Sequence, residues 1–188
     1  LHRGNLALNF TMMLHLNVFL ELPRQHYKTI SVICRYLYLY NFGTSNSEMT
    51  LLHKKLDESK LNLQRLKDIR DCLPSYLRMN QPYSLDGKKI KVPDTIERIV
   101  HPLNGNKIRT VQSARNKIAA ANLLRGRTIP LLWADEWAFI PFNDIIYMNA
   151  APAFKTAATI AKENHSPYGI LITTTPGWVL YYSLAYII

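Results

Sequence analysis

Apolar residues fall in short runs and at helical spacings that alternate along the chain. Val18–Leu22 is a short apolar run ended by Pro23, the pattern of a buried strand. Lys28–Tyr40 is long enough for a helix and spaces Ile30, Ile33, Leu37 and Tyr40 three or four residues apart. Asn41–Asn46 reads as loop and Met49–His53 as a second strand. A helix follows, capped by Asp57 or Ser59, with Leu66, Ile69 and Leu73 on one face and Pro74 stopping it. Thr95–His101 and Lys107–Gln112 are β-like and flank Asn104 and Gly105, a pair that favours a hairpin turn. Ser113 is placed to cap a helix over Ala114–Leu124, which Gly126 breaks. Ile129–Ala134 is again a buried strand. Ala151–Asn164 predicts a helix with Pro152 in its first turn, and Gly169 opens a last strand over Ile170–Thr173. Strands alternating with helices in this way predict an α/β domain, a mostly parallel sheet flanked by helices, with the β-hairpin as an excursion from it.

Composition narrows the picture. The 188 residues are 48% hydrophobic, enough for one domain with a real core and too apolar for wholesale disorder. The formal net charge of +10 predicts an anionic partner. It is unevenly placed: residues 86–127 hold 10 Lys and Arg against 3 Asp and Glu, whereas residues 128–188 hold 2 against 4. The basic segment, with Lys107 and Arg109 at its centre, is either a DNA-facing track or a solvated surface. Tyr36, Tyr38 and Tyr40 read as packing residues rather than base-stacking ones. Cys34 and Cys72 stand in no metal or disulfide pattern, and the six histidines show no ligand-like pairing, so neither a disulfide scaffold nor a histidine metal site is expected. Nothing after Glu163 is formally charged, but the uninterrupted apolar stretch Trp178–Ile188 is 11 residues, about half of what a spanning helix needs. Leu6–Leu20 is apolar yet interrupted by Asn9, His15 and Asn17, and no signal-peptide cleavage site follows. The chain reads as a soluble fragment of something longer, with no membrane attachment.

Three segments carry chemistry. Leu22–Thr29 lies between a predicted strand and a predicted helix and ends in Lys28 and Thr29, the pair with which a phosphate loop closes. In such a loop the backbone N–H groups and helix terminus hold phosphates, the lysine neutralises charge and the hydroxyl ligates Mg²⁺. Leu22 and Tyr27, however, stand where that pattern has glycines. Ile129–Glu136 is an apolar strand ending in Asp135 and Glu136, one carboxylate placed for a metal and the next for a water. Ile170–Pro176 is an apolar strand ending in Thr173, Thr174 and Thr175, hydroxyls able to sense a γ-phosphate. Taken singly, each segment reads more readily as an ordinary strand end.

Together the segments resemble the ATPase domain of tailed-phage terminase large subunits, the DNA-packaging motors. The resemblance runs through Arg24, Gln25, Lys28 and Thr29, then Arg125 and Gly126, then Asp135, Glu136, Ala138, Phe139 and Ile140, then Thr173–Pro176, and spans roughly residues 18–177. It implies a P-loop NTPase fold of the RecA-like (ASCE) type, with ATP and Mg²⁺ as ligands. By the same resemblance Arg24, Gln25, His26, Tyr27, Lys28 and Thr29 form the ATP-binding loop, and Thr29 and Asp135 hold Mg²⁺. Glu136 is the catalytic carboxylate, Arg24 an arginine finger in cis, and Thr173, Thr174 and Thr175 the coupling motif. Tyr27 departs from the family's usual second loop glycine. Implied partners are double-stranded DNA, a portal protein, a small terminase subunit and further copies in a homo-oligomeric ring, in the host cytoplasm during infection. Residues 1–188 are expected to form a single ATPase domain without the family's C-terminal nuclease domain, and no adenine-contacting segment is recognisable. Competing readings are a helicase-like nucleic-acid-dependent ATPase and a non-catalytic nucleotide- or DNA-binding module.

Overall fold

The computed structural model of the protein describes residues 3–77 and 93–175. In chain order the elements are α1 (Arg3–Met13), β1 (Val18–Glu21), α2 (Lys28–Phe42), β2 (Glu48–His53), α3 (Leu56–Asp71), β3 (Arg98–Val100), β4 (Lys107–Gln112), α4 (Lys117–Asn122), β5 (Leu131–Asp135), α5 (Asn143–Glu163) and β6 (Gly169–Thr174). Six strands form one sheet in the order β1-β6-β5-β2-β4-β3. All neighbouring pairs are parallel except β3–β4. The expected hairpin is therefore built into the sheet: β4 pairs in parallel with β2, and β3 adds an antiparallel edge.

The strands read as unbroken apolar runs because both faces of the sheet are covered. Along β5, Leu131 and Trp133 face a layer made by Val32, Ile33 and Tyr36 of α2 and Leu63 and Leu66 of α3. Leu132 and Ala134 face the opposite layer, built from Ala120 of α4 and Ile146, Ala150 and Phe154 of α5. Tyr36 and Tyr40 are buried to 1% exposure, so those two tyrosines are core residues, whereas Tyr38 lies on the surface.

Several element boundaries differ from the sequence expectation. α1 was not anticipated: its apolar residues do not keep to one side, with Leu8 buried and Leu6, Phe10 and Met13 exposed. α4 begins after Asn116, whose side chain accepts a hydrogen bond from the Ala119 N–H at 2.8 Å. Ser113 instead donates to the Lys54 carbonyl at 2.8 Å, tying the end of β4 to the end of β2. α3 starts after Lys55 without a side-chain cap, and Ser59, buried inside the helix, bonds to the Leu51 carbonyl. α5 begins eight residues earlier than expected, so Pro152 lies in its interior. The buried stripe Ile146, Ala150, Phe154, Ala157 and Ala161 runs straight through, with Pro152 on the exposed side. Packing of that stripe overrides the roughly 3 kcal/mol that an interior proline costs a helix.

The turn after β3 holds a polar clasp. Gly105 takes φ +71°, as this tight turn requires. Beside it, Asn104 Nδ2 donates to the Tyr40 and Asn41 carbonyls, and the fully buried Asn106 Nδ2 to those of Leu39 and Tyr40. Both asparagines thus bind carbonyls of the last turn of α2, where Tyr40 and Asn41 lie past the end of the helical ladder and Leu39 also accepts from the Gly43 N–H.

Candidate active site

The parallel strands β1, β6 and β5 are neighbours, so their C-terminal ends open on the same edge of the sheet. Ligands of open α/β sheets bind at that edge. There Arg24, Gln25, His26, Tyr27, Lys28, Thr29, Arg65, Glu136 and Thr175 line a cleft of about 590 Å³.

The loop leaving β1 turns sharply before α2. Gln25 has φ +65° and Tyr27 φ +55°, both in the left-handed region, and Tyr27 leads directly into the first turn of α2. The chain thus takes at Tyr27 a conformation that glycine adopts without strain. The tyrosine ring is 72% exposed, so no packing obstructs the loop. Turns of this kind direct successive N–H groups into a concavity suited to anions, and the N-terminus of α2 adds its partial positive charge.

Lys28 is buried at 8% exposure and donates from Nζ to the Thr174 carbonyl at 2.9 Å and the Leu22 carbonyl at 3.3 Å. Burial lowers its ammonium below the ordinary lysine value; Asp135 and Glu136 oppose that shift and Arg24 adds to it. Thr29 Oγ1 donates to Asp135 Oδ2 at 3.3 Å. The other carboxylate oxygen of Asp135, Oδ1, accepts from Thr173 Oγ1 at 2.7 Å and from the Glu136 N–H at 3.0 Å. Thr173 in turn accepts from the buried indole N–H of Trp133 at 2.8 Å. Thr174 Oγ1 accepts from the Ala138 N–H, and its carbonyl takes the Leu22 N–H as well as Lys28. Glu136 follows β5 in a left-handed conformation, φ +53°, a strain that non-glycine residues keep only where their surroundings enforce it.

Hard-oxygen donors next to a helix N-terminus suit Mg²⁺ bound together with phosphate oxygens. Thr29 Oγ1 and Asp135 Oδ2 provide them, so the residues present fit the ion.

The fold thus gathers Arg24–Thr29, Asp135, Glu136 and Thr173–Thr175 from three segments of the chain. It leaves Lys107 and Arg109 elsewhere. Lys107 starts β4, at the opposite end of the strands from this cleft, and Arg109 is paired with Glu48 at 2.7 Å. Lys88, Lys89 and Lys91 of the basic segment, Pro176, and the apolar stretch Trp178–Ile188 lie outside the described residues. No described helix is long and apolar enough to cross a membrane. Cys34 and Cys72 are free and exposed.

Two contributors escaped the sequence reading. Arg65, on α3, brings a second guanidinium to the cleft, and no local pattern marks it among the other basic residues. Trp133 had a readable signal: an indole N–H in an apolar strand must find an acceptor, and the hydroxyl of Thr173 on the adjacent strand is that acceptor.

No family model matches the chain, and neither does any curated protein. Solved structures do. An arginine variant of the Thermus phage P74-26 large terminase ATPase domain is 16% identical with a TM-score of 0.55, over 96% of this chain and 68% of that one. The HK97 bacteriophage large terminase is 12% identical with a TM-score of 0.59, over 93% of this chain but 33% of its own. The large terminase of a thermophilic bacteriophage is 14% identical with a TM-score of 0.55, over 82% of this chain and 32% of its own. The fold is that of large terminase ATPase domains, and the chain spans about a third of the two whole large terminases.

Proposed function

We propose that this chain is the ATP-hydrolysing motor domain of a viral terminase large subunit, driving double-stranded DNA into a capsid. The contact between Thr29 Oγ1 and Asp135 Oδ2 carries this assignment, because it joins the helix after the phosphate-type loop to the acidic strand end. The fold shared with large terminases supports it.

In this reading the loop N–H groups of Arg24–Tyr27 and the N-terminus of α2 hold the phosphates. Lys28 exchanges its two carbonyl partners for phosphate oxygens. Thr29 and Asp135 would hold Mg²⁺, which when bound neutralises charge on the transferring phosphoryl group. Glu136 orients the attacking water, and Arg24 stabilises charge that develops only in the transition state. Thr173, buried between Asp135 and Trp133, and Thr174, tied to Lys28 and Ala138, are placed to pass a change at the phosphates into β6. Double-stranded DNA, a portal protein, a small terminase subunit and further copies in a ring are the proposed partners, in the host cytoplasm.

The test compares nucleotide affinity and turnover in the motor assembled with DNA. Lys28→Ala is expected to abolish Mg-ATP binding or turnover, and Glu136→Gln to bind with parental affinity while hydrolysing very slowly. Parental turnover in Lys28→Ala overturns the nucleotide site. Parental turnover in Glu136→Gln moves the catalytic carboxylate elsewhere.

A further inference from the structure

Three side chains beside the cleft form a group of which the hydrolysis proposed above uses only Glu136. His53 ends β2, Glu58 lies in the first turn of α3, and Glu136 follows β5. One ring nitrogen and two carboxylate oxygens from these residues lie within 4.8 Å of one another. His53 is 6% exposed, and its Nδ1 stands 2.8 Å from Glu58 Oε2. Both atoms are shut off from solvent, yet neither makes a hydrogen bond. The separation is short enough for one, so it is the direction that fails: the oxygen lies away from the axis of the ring nitrogen. With the ring protonated the two atoms form an ion pair; with the ring neutral, two buried atoms side by side but not aimed at each other stand as ligands of a common cation do.

We propose that His53, Glu58 and Glu136 bind a divalent first-row transition cation of the Zn²⁺ class. An imidazole with two carboxylates is a nitrogen–oxygen set that zinc accepts readily, with water completing the coordination, whereas Mg²⁺ prefers oxygen alone. The set is therefore distinct from the all-oxygen pair Thr29 and Asp135. The backbone that carries two of the three ligands is also held in place before any ion arrives. The Ser113 N–H bonds to the His53 carbonyl, Ser113 Oγ to the Lys54 carbonyl, and Ser59 Oγ to the Leu51 carbonyl. These bonds fix the turn between β2 and α3 that carries His53 and Glu58, and Glu136 follows β5 at φ +53°. Two carboxylates this close repel each other, and a cation between them removes that repulsion. One consequence rests on the function proposed above: an ion held here takes the Glu136 carboxylate away from water, so zinc inhibits hydrolysis without displacing nucleotide.

Zinc ion alone is the probe, titrated calorimetrically into the nucleotide-free chain in excess Mg²⁺. One equivalent is expected to bind, and His53→Ala and Glu58→Gln each to weaken binding by at least about 10-fold. A double Cys34→Ser, Cys72→Ser variant is expected to bind like the parent. Zinc-edge X-ray absorption of the parent chain, which needs no variant to fold, is expected to show imidazole nitrogen and carboxylate oxygen around the metal. No binding, sulfur in the coordination sphere, or undiminished affinity in both His53→Ala and Glu58→Gln overturns the site. Turnover is read separately. Zinc bound with this ligand set but without inhibition supports the site and removes the role given to Glu136, whereas absence of ATP turnover in the assembled motor overturns the function and leaves the binding result standing.

Discussion

Thr173 Oγ1 donates a 2.7 Å hydrogen bond to Asp135 Oδ1, and both residues are buried. Because Thr173 also accepts from the Trp133 indole at 2.8 Å, one hydroxyl links a core aromatic to the carboxylate proposed to face the metal. Asp135 is thereby left with Oδ2 turned toward Thr29.

Thr173→Val, which keeps the shape and removes the hydroxyl, leaves the indole N–H without an acceptor. It is expected to lower unfolding free energy by about 1–3 kcal/mol, measured by urea denaturation. Adding Trp133→Phe removes the orphaned donor, so the double variant should lose less than the sum of the two single ones. Additive losses would show that the two side chains do not share this bond.

Tyr27→Gly should stabilise the protein. The left-handed backbone at φ +55° costs an L-residue roughly 1–2 kcal/mol, the exposed ring contributes little packing, and glycine's greater freedom when unfolded returns part of that gain. A net increase of about 0.5–1 kcal/mol is expected in thermal or chemical unfolding. Tyr27→Ala keeps the strained backbone and should show no such increase. An equal gain from alanine would trace the effect to the ring instead.

Arg24 is an exposed residue of the cleft. If its charge acts in the transition state, Arg24→Ala should lose about 10³-fold in turnover in the assembled motor with little change in ATP affinity. Arg24→Lys should recover little, since a point charge does not reproduce the planar fork. A loss confined to affinity would make Arg24 a ground-state phosphate ligand.

Asp94 predicts an acid dependence. Burial raises its carboxyl, but hydrogen bonds from Lys67 and Arg70 together with their charges prevail and hold it below the ordinary 3.8. A carboxyl depressed on folding binds fewer protons in the native state, so its stabilisation is present above that value and disappears as pH falls through the folded value. Asp94→Asn should therefore be less stable than the parent near pH 7 and approach it at strongly acidic pH. Melting temperatures across that range decide it, and a constant difference would sink the assignment.

Much of the sheet was legible because its strands are buried on both sides and so read as plain apolar runs between turn residues. The phosphate-type loop and the acidic strand end were legible for a different reason: Lys28–Thr29 open the helix after β1 and Asp135–Glu136 close β5, where polar residues interrupt the apolar pattern. Features set by partners distant in sequence left no local trace. Asn116 outcompeted Ser113 as a cap because Ser113 was already bound to β2. The N-terminal turns of α5 depend on packing that outweighs Pro152. His53, Glu58 and Glu136 meet only once β2 and β5 lie side by side, so no histidine spacing could have announced them.

The asparagine clasp on α2 has a mechanical meaning. Asn104 and Asn106 bolt one end of this 15-residue helix to the hairpin at the sheet's margin, while its other end presents Lys28 and Thr29. A helix of that length is a rod of about 22 Å with no joint in it. A load on the hairpin would therefore pass along the axis of this helix to the lysine and threonine proposed to bind phosphate. The loop between β1 and α2 lies at the far end of that rod, where the nucleotide is proposed to sit.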